Sequence, residues 1–451
     1  MKRRKAIQAI GGLSLLGLNP IHKYDSKVED VAATKKEVNT DVLVVGGGTA
    51  GVIAAIQAAR AGSSTILVEN GSQLGGTMTT AGVAFPGLFH AWGKQIIRGI
   101  GWELIMDTVL LDNGKLPDFT VPTGRQHWRH QIRINPNIYV LLAEEKCIEA
   151  GVKLRYYETP VKATFQNNKW EVETIGKGTN TRIICDQAID CTGNAYLTAL
   201  AGLNVLREED NQPGTQMFKI DGYDIDSLDL KTIQESFKKE VDKGTLLYAD
   251  ARGNIGGILR SQGDNAQHVL KADSTTSETH TQTNIRGRAS ILRLIRFLRQ
   301  FSGLENIHLV SLQTETGVRE TFRIDGEYQV THKDYITGTV FDDSLAYSFY
   351  PIDLHDPKGI VPKHLEQGVV PTIPLRALIP KGSRNFIVAG RCISSDRLAN
   401  SALRVQASCM AMGQIAAAAA VLASKKNTTP LNVPIDELKT LITNHGGIVP
   451  S

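Results

Sequence analysis

The first clear pattern is Asp41-Val42-Leu43-Val44-Val45, an apolar run without the alternation of a half-exposed strand, which predicts a strand covered on both faces. Gly46-Gly47-Gly48 breaks the run, and the alanine-rich stretch from Thr49 to Arg60, stopped by Gly62, predicts a helix. Thr65-Ile66-Leu67-Val68 predicts a second strand with Glu69 at its end, completing a β-α-β unit of about thirty residues. Asn137 to Ala150 has helical spacing and stops at Gly151, and strand-like segments follow at Val152 to Tyr157, Val161 to Phe165, Trp170 to Thr174 and Arg182 to Ile189. Between Leu206 and Pro374 the texture changes to longer polar loops, such as Ala272 to Asn284, around an amphipathic basic helix, Arg288 to Phe301. The α/β style then returns with a strand at Asn385 to Ala389 and a helix from Leu403 to Ser424.

Gly46-Gly47-Gly48-Thr49-Ala50-Gly51 fits G-x-G-x-x-G, directly after a buried strand and directly before a helix. In that context Gly46 permits a tight turn, Gly48 lets the backbone approach a pyrophosphate, Gly51 lets helix and strand pack closely, and the helix N-terminus offers N–H groups to the phosphates. Glu69, 23 residues beyond Gly46, is placed to accept hydrogen bonds from an adenosine ribose, with Asn70 beside it. These features predict dinucleotide binding. A second glycine-rich loop, Gly75-Gly76-Thr77-Met78, gives backbone room for a dinucleotide extending beyond its adenosine half. Asp190-Cys191-Thr192-Gly193-Asn194 and Ala389-Gly390-Arg391-Cys392 each close a strand-like segment.

With Gly317 to Ile324, Ser348 to Asp356, Ile373 to Pro380 and Arg404-Val405-Gln406 added to these motifs, the stretch from Asp41 to Ala423 resembles the single-FAD oxidoreductases with the glutathione-reductase type of flavin fold, within them the group called FAD-dependent oxidoreductase. The resemblance implies an extended FAD, with adenine near the strand around Val161, pyrophosphate on the first glycine loop, and Thr192, Gly193, Gly390 and Arg391 also at the cofactor. It further implies an isoalloxazine ring at the interface with a second domain, and the last helix pointing its N-terminus, near Val405 and Gln406, at the N1/O2 edge. Cys191 stands where such proteins usually carry Ala. The expected fold is α/β: a Rossmann-like FAD-binding domain, three-layered around a parallel sheet, with an inserted α+β substrate domain. Its expected divisions are a tail over 1–33, the cofactor domain over 34–205 and 376–451, and the substrate domain over 206–375.

At 41% hydrophobic and 21% charged, the composition is that of an ordinary globular protein, which excludes disordered and collagen-like classes. Of the formal charge of +4, most sits in the tail, where Lys2, Arg3, Arg4, Lys5, Lys23 and Lys27 outweigh Asp25, Glu29 and Asp30; the body lacks the basic surplus that attracts nucleic acid. The 5 cysteines are scattered without a C-x-x-C pair, so free core thiols are expected and a disulfide reductase is excluded. No second G-x-G-x-x-G follows a strand, which argues against a separate NAD(P)H domain. Lys2 to Lys5 followed by the apolar run to Leu18 has the layout of a secretory signal too short for a permanent membrane span, and Arg3-Arg4 points to the twin-arginine route. An exported, periplasmic protein without an integral membrane segment is expected, with a cytoplasmic enzyme carrying a basic tail as the alternative.

Oxidation of a small organic substrate by hydride transfer to flavin N5 requires a base for the departing proton, or a cation for a carboxylate or developing alkoxide. His355 is the candidate base, its alternative being a structural histidine bonded to a backbone carbonyl. An ordinary imidazole titration predicts that acid silences it near pH 6 to 7. Arg319 and Arg323, four residues apart, are candidate anion holders, their alternative a salt bridge with Glu320 or Glu315. The basic helix reads as a solvated face, and His127-Trp128-Arg129-His130 as a segment able to cover the flavin. The electron acceptor is not identified by any motif, and a flavoprotein that binds FAD without turnover is the rival reading.

Overall fold

The computed structural model describes residues 35–264, 267–356, 359–360 and 362–451. The export signal expected over 1–33 lies outside the described residues. Six strands, β1 (Lys35–Val45), β2 (Thr65–Glu69), β3 (Lys153–Tyr156), β4 (Thr159–Gln166), β5 (Lys169–Gly176) and β6 (Thr179–Asp190), order themselves β3-β2-β1-β6-β5-β4, and β7 (Phe386–Val388) joins β6. Pairing is parallel across β3, β2, β1, β6 and β7 and antiparallel through β6, β5 and β4. The first half of β6 takes β5 and its second half takes β7, so one long strand links the meander to the returning chain. Strand β1 begins six residues before the apolar run, because polar Lys35 to Thr40 find ladder partners in Asn180 to Cys185. Pairing outweighs local propensity there.

Helix α1 (Thr49–Arg60) is buried from Ala50 through Ala58. The expected terminal helix is two: α3 (Arg397–Leu403) and α4 (Gln406–Lys426), with α2 (Ser277–Leu298) earlier in the chain. Val405 adopts an extended conformation between α3 and α4, while Arg404 before it keeps helical angles and its N–H donates to the Asn400 carbonyl at 3.0 Å. Helix α4 is apolar on every side and matches a membrane span in length and composition, yet it is sheathed by protein, as befits the central helix of a core. It crosses α1 so closely that a Cβ on Gly413 would strike the Ala50 carbonyl.

One core, including Phe218, Ile233, Phe237, Leu259, Leu294 and Leu298, belongs to the inserted segment, whereas Leu345, Ile373 and Leu375 pack in the core of α1 and α4, and Ile324 packs with Leu43, Val45 and Ile66 of the sheet. The span 206–375 therefore divides among three cores. Helix α2 starts eleven residues before Arg288 because Thr276 caps it, accepting from the Thr279 N–H at 3.1 Å, so the polar stretch to Asn284 is largely helical. Its arginines are mostly solvated, as expected: Arg286, Arg288 and Arg296 are exposed, as is Arg299 just after it, and Arg293 is the one turned inward, pairing with buried Asp250 at 2.7 Å. All five cysteines are buried and free.

The crossing of α1 and α4 generates a stability test. A Gly413→Val substitution should destabilise the protein by about 1–3 kcal/mol through overpacking, more than the gain of under about 1 kcal/mol from removing a helical glycine. Thermal unfolding measures it, and an unchanged midpoint would contradict the close crossing.

Candidate cofactor and active site

Gly46 turns the chain at φ +100°, its N–H donates to the Val68 carbonyl at 2.8 Å, and a Cβ there would meet the backbone of Cys191. Gly51 lies under the Gly46 carbonyl, where a side chain has no room. Gly48 is different: a Cβ there meets nothing within 4 Å, and α1 begins behind it with no side-chain cap. An open cradle in front of an uncapped helix N-terminus, formed by Thr49, Ala50 and Gly51, suits a phosphate. The second loop docks on the first through the Gly75 N–H and the Gly47 carbonyl at 2.8 Å, and Gly76, at φ +52°, packs against Gly48. Thr77 is exposed, while the Met78 side chain is fully buried in the core and leaves only its backbone to a cofactor.

Glu69 joins these loops. One carboxylate oxygen accepts from the Gly47 N–H at 2.7 Å and the other from the Gly71 N–H at 2.6 Å, across Asn70. Burial raises its pKa, against the two N–H groups that favour the charged form. Glu158 and Tyr157 donate to the carbonyls of Glu69 and Gly71, leading into β4, where Val161 is a half-exposed residue at an irregularity in the ladder.

The end of β6 is locked by Asp190, which accepts from the N–H and hydroxyl of Thr192 and of Thr198 at 2.7–3.0 Å. Gly193, at φ +74°, presents its carbonyl to Arg391 Nε at 2.7 Å, and Arg391 also donates to the Val318 carbonyl. Arg391 is thus a strut from the cofactor loop to the segment carrying Arg319, and the hydroxyl of Thr192 is likewise engaged. Gly390, at φ +100°, abuts Ala50. Gln406, the first residue of α4, donates to the Val83 carbonyl at 3.0 Å, and Val83 also touches the space beside Gly317.

Beyond Gly317 lies a buried polar centre. His355 Nε2 stands 3.1 Å from Asp353 Oδ2, its Nδ1 stands 3.1 Å from His268 Nε2, and its backbone N–H donates to Gln212. Arg404 donates to the Asp353 carbonyl at 3.0 Å and lies 3.9 Å from its carboxylate. Arg319 donates to the Pro213 carbonyl at 2.5 Å and to Thr215 Oγ1 at 2.9 Å, not to Glu315 or Glu320; Glu320 pairs with Arg397. Arg323 is not part of this centre, because its strand pairs with Val205 and Leu206 and turns its side chain to Glu208. The ring of His127 packs edge-on against Tyr350 with centroids 5.1 Å apart, which brings that segment to the centre's rim.

Burial, then the charge of Arg319, pulls both His355 and His268 down to about 3, and burial pulls His127 to about 4. The acid limb expected near pH 6 to 7 for His355 is therefore displaced to lower pH. Burial works to raise Asp353, but the bond from His355 and the charges of Arg404 and Arg319 outweigh it and hold it at about 2. Arg319 falls to about 9, through burial and then the neighbouring Arg404; burial also lowers Arg404 and Arg252. Asp353 and Arg404 lie in motifs that carry the resemblance but were given no role there, and His268 and Arg252 carry no sequence signal: His268 lies 87 residues from His355. Among the described residues, Gln406 Oε1, Arg404 Nε, His268 Nδ1 and His127 Nδ1 are buried polar atoms without partners. Such atoms are costly unless something completes them, and with the Gly48 cradle they fit a long dinucleotide and a bound substrate.

The family described as FAD dependent oxidoreductase matches residues 41–442. Over 58 residues the chain is 45% identical to one component of the ferredoxin:CoB-CoM heterodisulfide reductase of Methanosarcina acetivorans, a match covering 13% of this chain and 7% of that one, so the chain spans under a tenth of that relative's length. Among solved structures, a geranylgeranyl bacteriochlorophyll reductase-like protein from Thermoplasma acidophilum superposes over 90% of this chain and 84% of its own, at 13% identity and a TM-score of 0.42. The flavin-dependent monooxygenase PieE, in complex with FAD and substrate, superposes over 41% of this chain and 36% of its own, at 16% identity and a TM-score of 0.29.

Replacing Glu69 with Ala removes two charge-assisted hydrogen bonds that shape the cradle, each worth roughly 1.5–3 kcal/mol. The dissociation constant for FAD should rise at least about tenfold with the fold retained. Fluorescence titration of apoprotein with FAD measures it; an unchanged constant would mean that the Glu69 lock does not set the site.

Proposed function

Since the chain belongs to the FAD dependent oxidoreductase family, we propose that it transfers a hydride between flavin N5 and the CH–OH carbon of a small substrate that carries an anionic group. FAD supplies the two-electron acceptor. The observation that carries the rest is charge: Arg252, Arg319 and Arg404 surround one carboxylate, Asp353, in a buried centre where both nearby histidines are neutral. A buried positive surplus is unfavourable alone and becomes favourable when an anion enters. Arg319 is held in place by Pro213 and Thr215, so its guanidinium is orientated before the substrate arrives. The same cations stabilise negative charge developing on the substrate oxygen as its proton leaves.

The test is anaerobic mixing of the holoprotein with short 2-hydroxy acids and with matched neutral alcohols. The acids should bleach the visible flavin band and the neutral alcohols should not; no bleaching by any acid would favour FAD binding without turnover. Arg319→Ala should raise the half-saturating acid concentration by about ten- to a hundredfold, the equivalent of one charged hydrogen bond, with a smaller effect on the limiting rate. Because His355 and His268 stay neutral down to about pH 3, the reduction rate should not fall between pH 7 and pH 5. A fall centred near pH 6 to 7 would contradict the buried, cation-flanked placement.

A further inference from the structure

We infer that the substrate's hydroxyl proton is accepted by His268 Nδ1, with His355 and Asp353 as the positioning residues behind it; this rests on the hydride transfer proposed above. The inference comes from following hydrogen-bond polarity outward from Asp353. A carboxylate only accepts, so the proton between it and His355 belongs to His355 Nε2, 3.1 Å away. With that proton placed, a neutral His355 bears its lone pair on Nδ1. The contact to His268 at 3.1 Å must then be donated by His268 Nε2. A neutral His268 is left with its lone pair on Nδ1, and that atom is buried without a partner, on a residue only 2% exposed.

The other assignments fail on the same contacts. A lone pair on His355 Nε2 would face the Asp353 carboxylate, and a doubly protonated ring would sit among Arg252, Arg319 and Arg404 with Asp353 as its counter-charge. His355 itself has no free nitrogen: one faces Asp353 and the other His268. The sequence candidate is therefore the middle of a chain whose open end is His268.

In the oxidising direction, the substrate C–H bond breaks with its electron pair, a hydride that bound FAD would accept as the two-electron oxidant. The O–H bond breaks, its electron pair completes the C=O bond, and the proton goes to His268 Nδ1. His268 can then pass its Nε2 proton to His355 Nδ1, which moves the positive charge next to Asp353. Two histidines in series thus carry the charge from the oxidised carbon to the buried carboxylate.

The test needs no knowledge of the natural substrate. Nitrogen-15 NMR of holoprotein labelled at histidine should show His268 as the Nε2–H tautomer, with Nδ1 unprotonated, and His355→Asn should let His268 populate both tautomers, a change that a purely structural role for His355 would not produce. Finding His268 as the Nδ1–H tautomer in the parent protein would overturn the inference, whether or not any hydroxy acid is turned over. With a hydroxy acid that bleaches the parent flavin, His268→Asn should retain FAD and slow the bleaching by about 10² to 10⁴. If His268→Asn bleaches as fast as the parent, His268 is not the acceptor; if no acid bleaches the parent, the proposed function fails while the tautomer result stands.

Discussion

The polar centre takes its order from one carboxylate. Asp353 sets the tautomer of His355 by accepting its proton, and His355 in turn sets that of His268. Asp353 is also the carboxylate that faces Arg319 and Arg404, and it is buried enough that neither water nor salt screens the pairing strongly. Without it, three guanidiniums would face one another across a low-dielectric space, and the histidines would lose the reference that fixes which nitrogen is open. With both histidines neutral, three guanidiniums against one carboxylate leave two positive charges uncompensated, and His268 Nδ1 has no hydrogen-bond donor. The anionic hydroxyl substrate proposed above would bring negative charge and that donor.

The fold ties this centre to the glycine loops through a few close contacts. Gly51 and Gly413 let β1, α1 and α4 approach backbone to backbone, which fixes two helix N-termini relative to one sheet. Arg391 bridges the carbonyls of Gly193 and Val318, so the loop after β6 and the segment carrying Arg319 move as one. Val83, in the stretch after the second glycine loop, contacts Gln406 and the space beside Gly317. Buried guanidiniums that bond to carbonyls give this junction rigidity, since each would leave an orphaned charge if the loops parted.

The cofactor half of the molecule was legible in the sequence because its signals are local. The run Val42 to Val45, the break at Gly46 and the carboxylate of Glu69 sit within one β-α-β unit, and each has a steric or hydrogen-bonding reason that needs no distant partner. The active half was only partly legible. Arg319 and His355, named from the sequence, both lie in the polar centre, whereas Arg323 pairs with Arg319 by spacing alone and the ladder to Leu206 sends it elsewhere. His268 was invisible because its meaning depends on a contact 87 residues away. The arginines of α2 read as a surface stripe and three of the four are exposed; the inward turn of Arg293 to Asp250, 43 residues away, is what periodicity does not show. The break before Gln406 was hidden for a similar reason: Arg404 and Val405 have no helix-breaking character, and it is the bond from Arg404 to Asp353 that goes with the turn.

The central claim is that the anion-seeking centre faces the reactive edge of the flavin. A crystal structure of the holoenzyme soaked with oxalate, a non-reacting dianion, tests it most directly. The expected result is an isoalloxazine ring with its N1/O2 edge at the start of α4, and oxalate between that ring and Arg319, within hydrogen-bond reach of Arg404 and His268. A flavin ring lying elsewhere, with Arg319 and His268 sealed behind protein and no oxalate beside them, would contradict it.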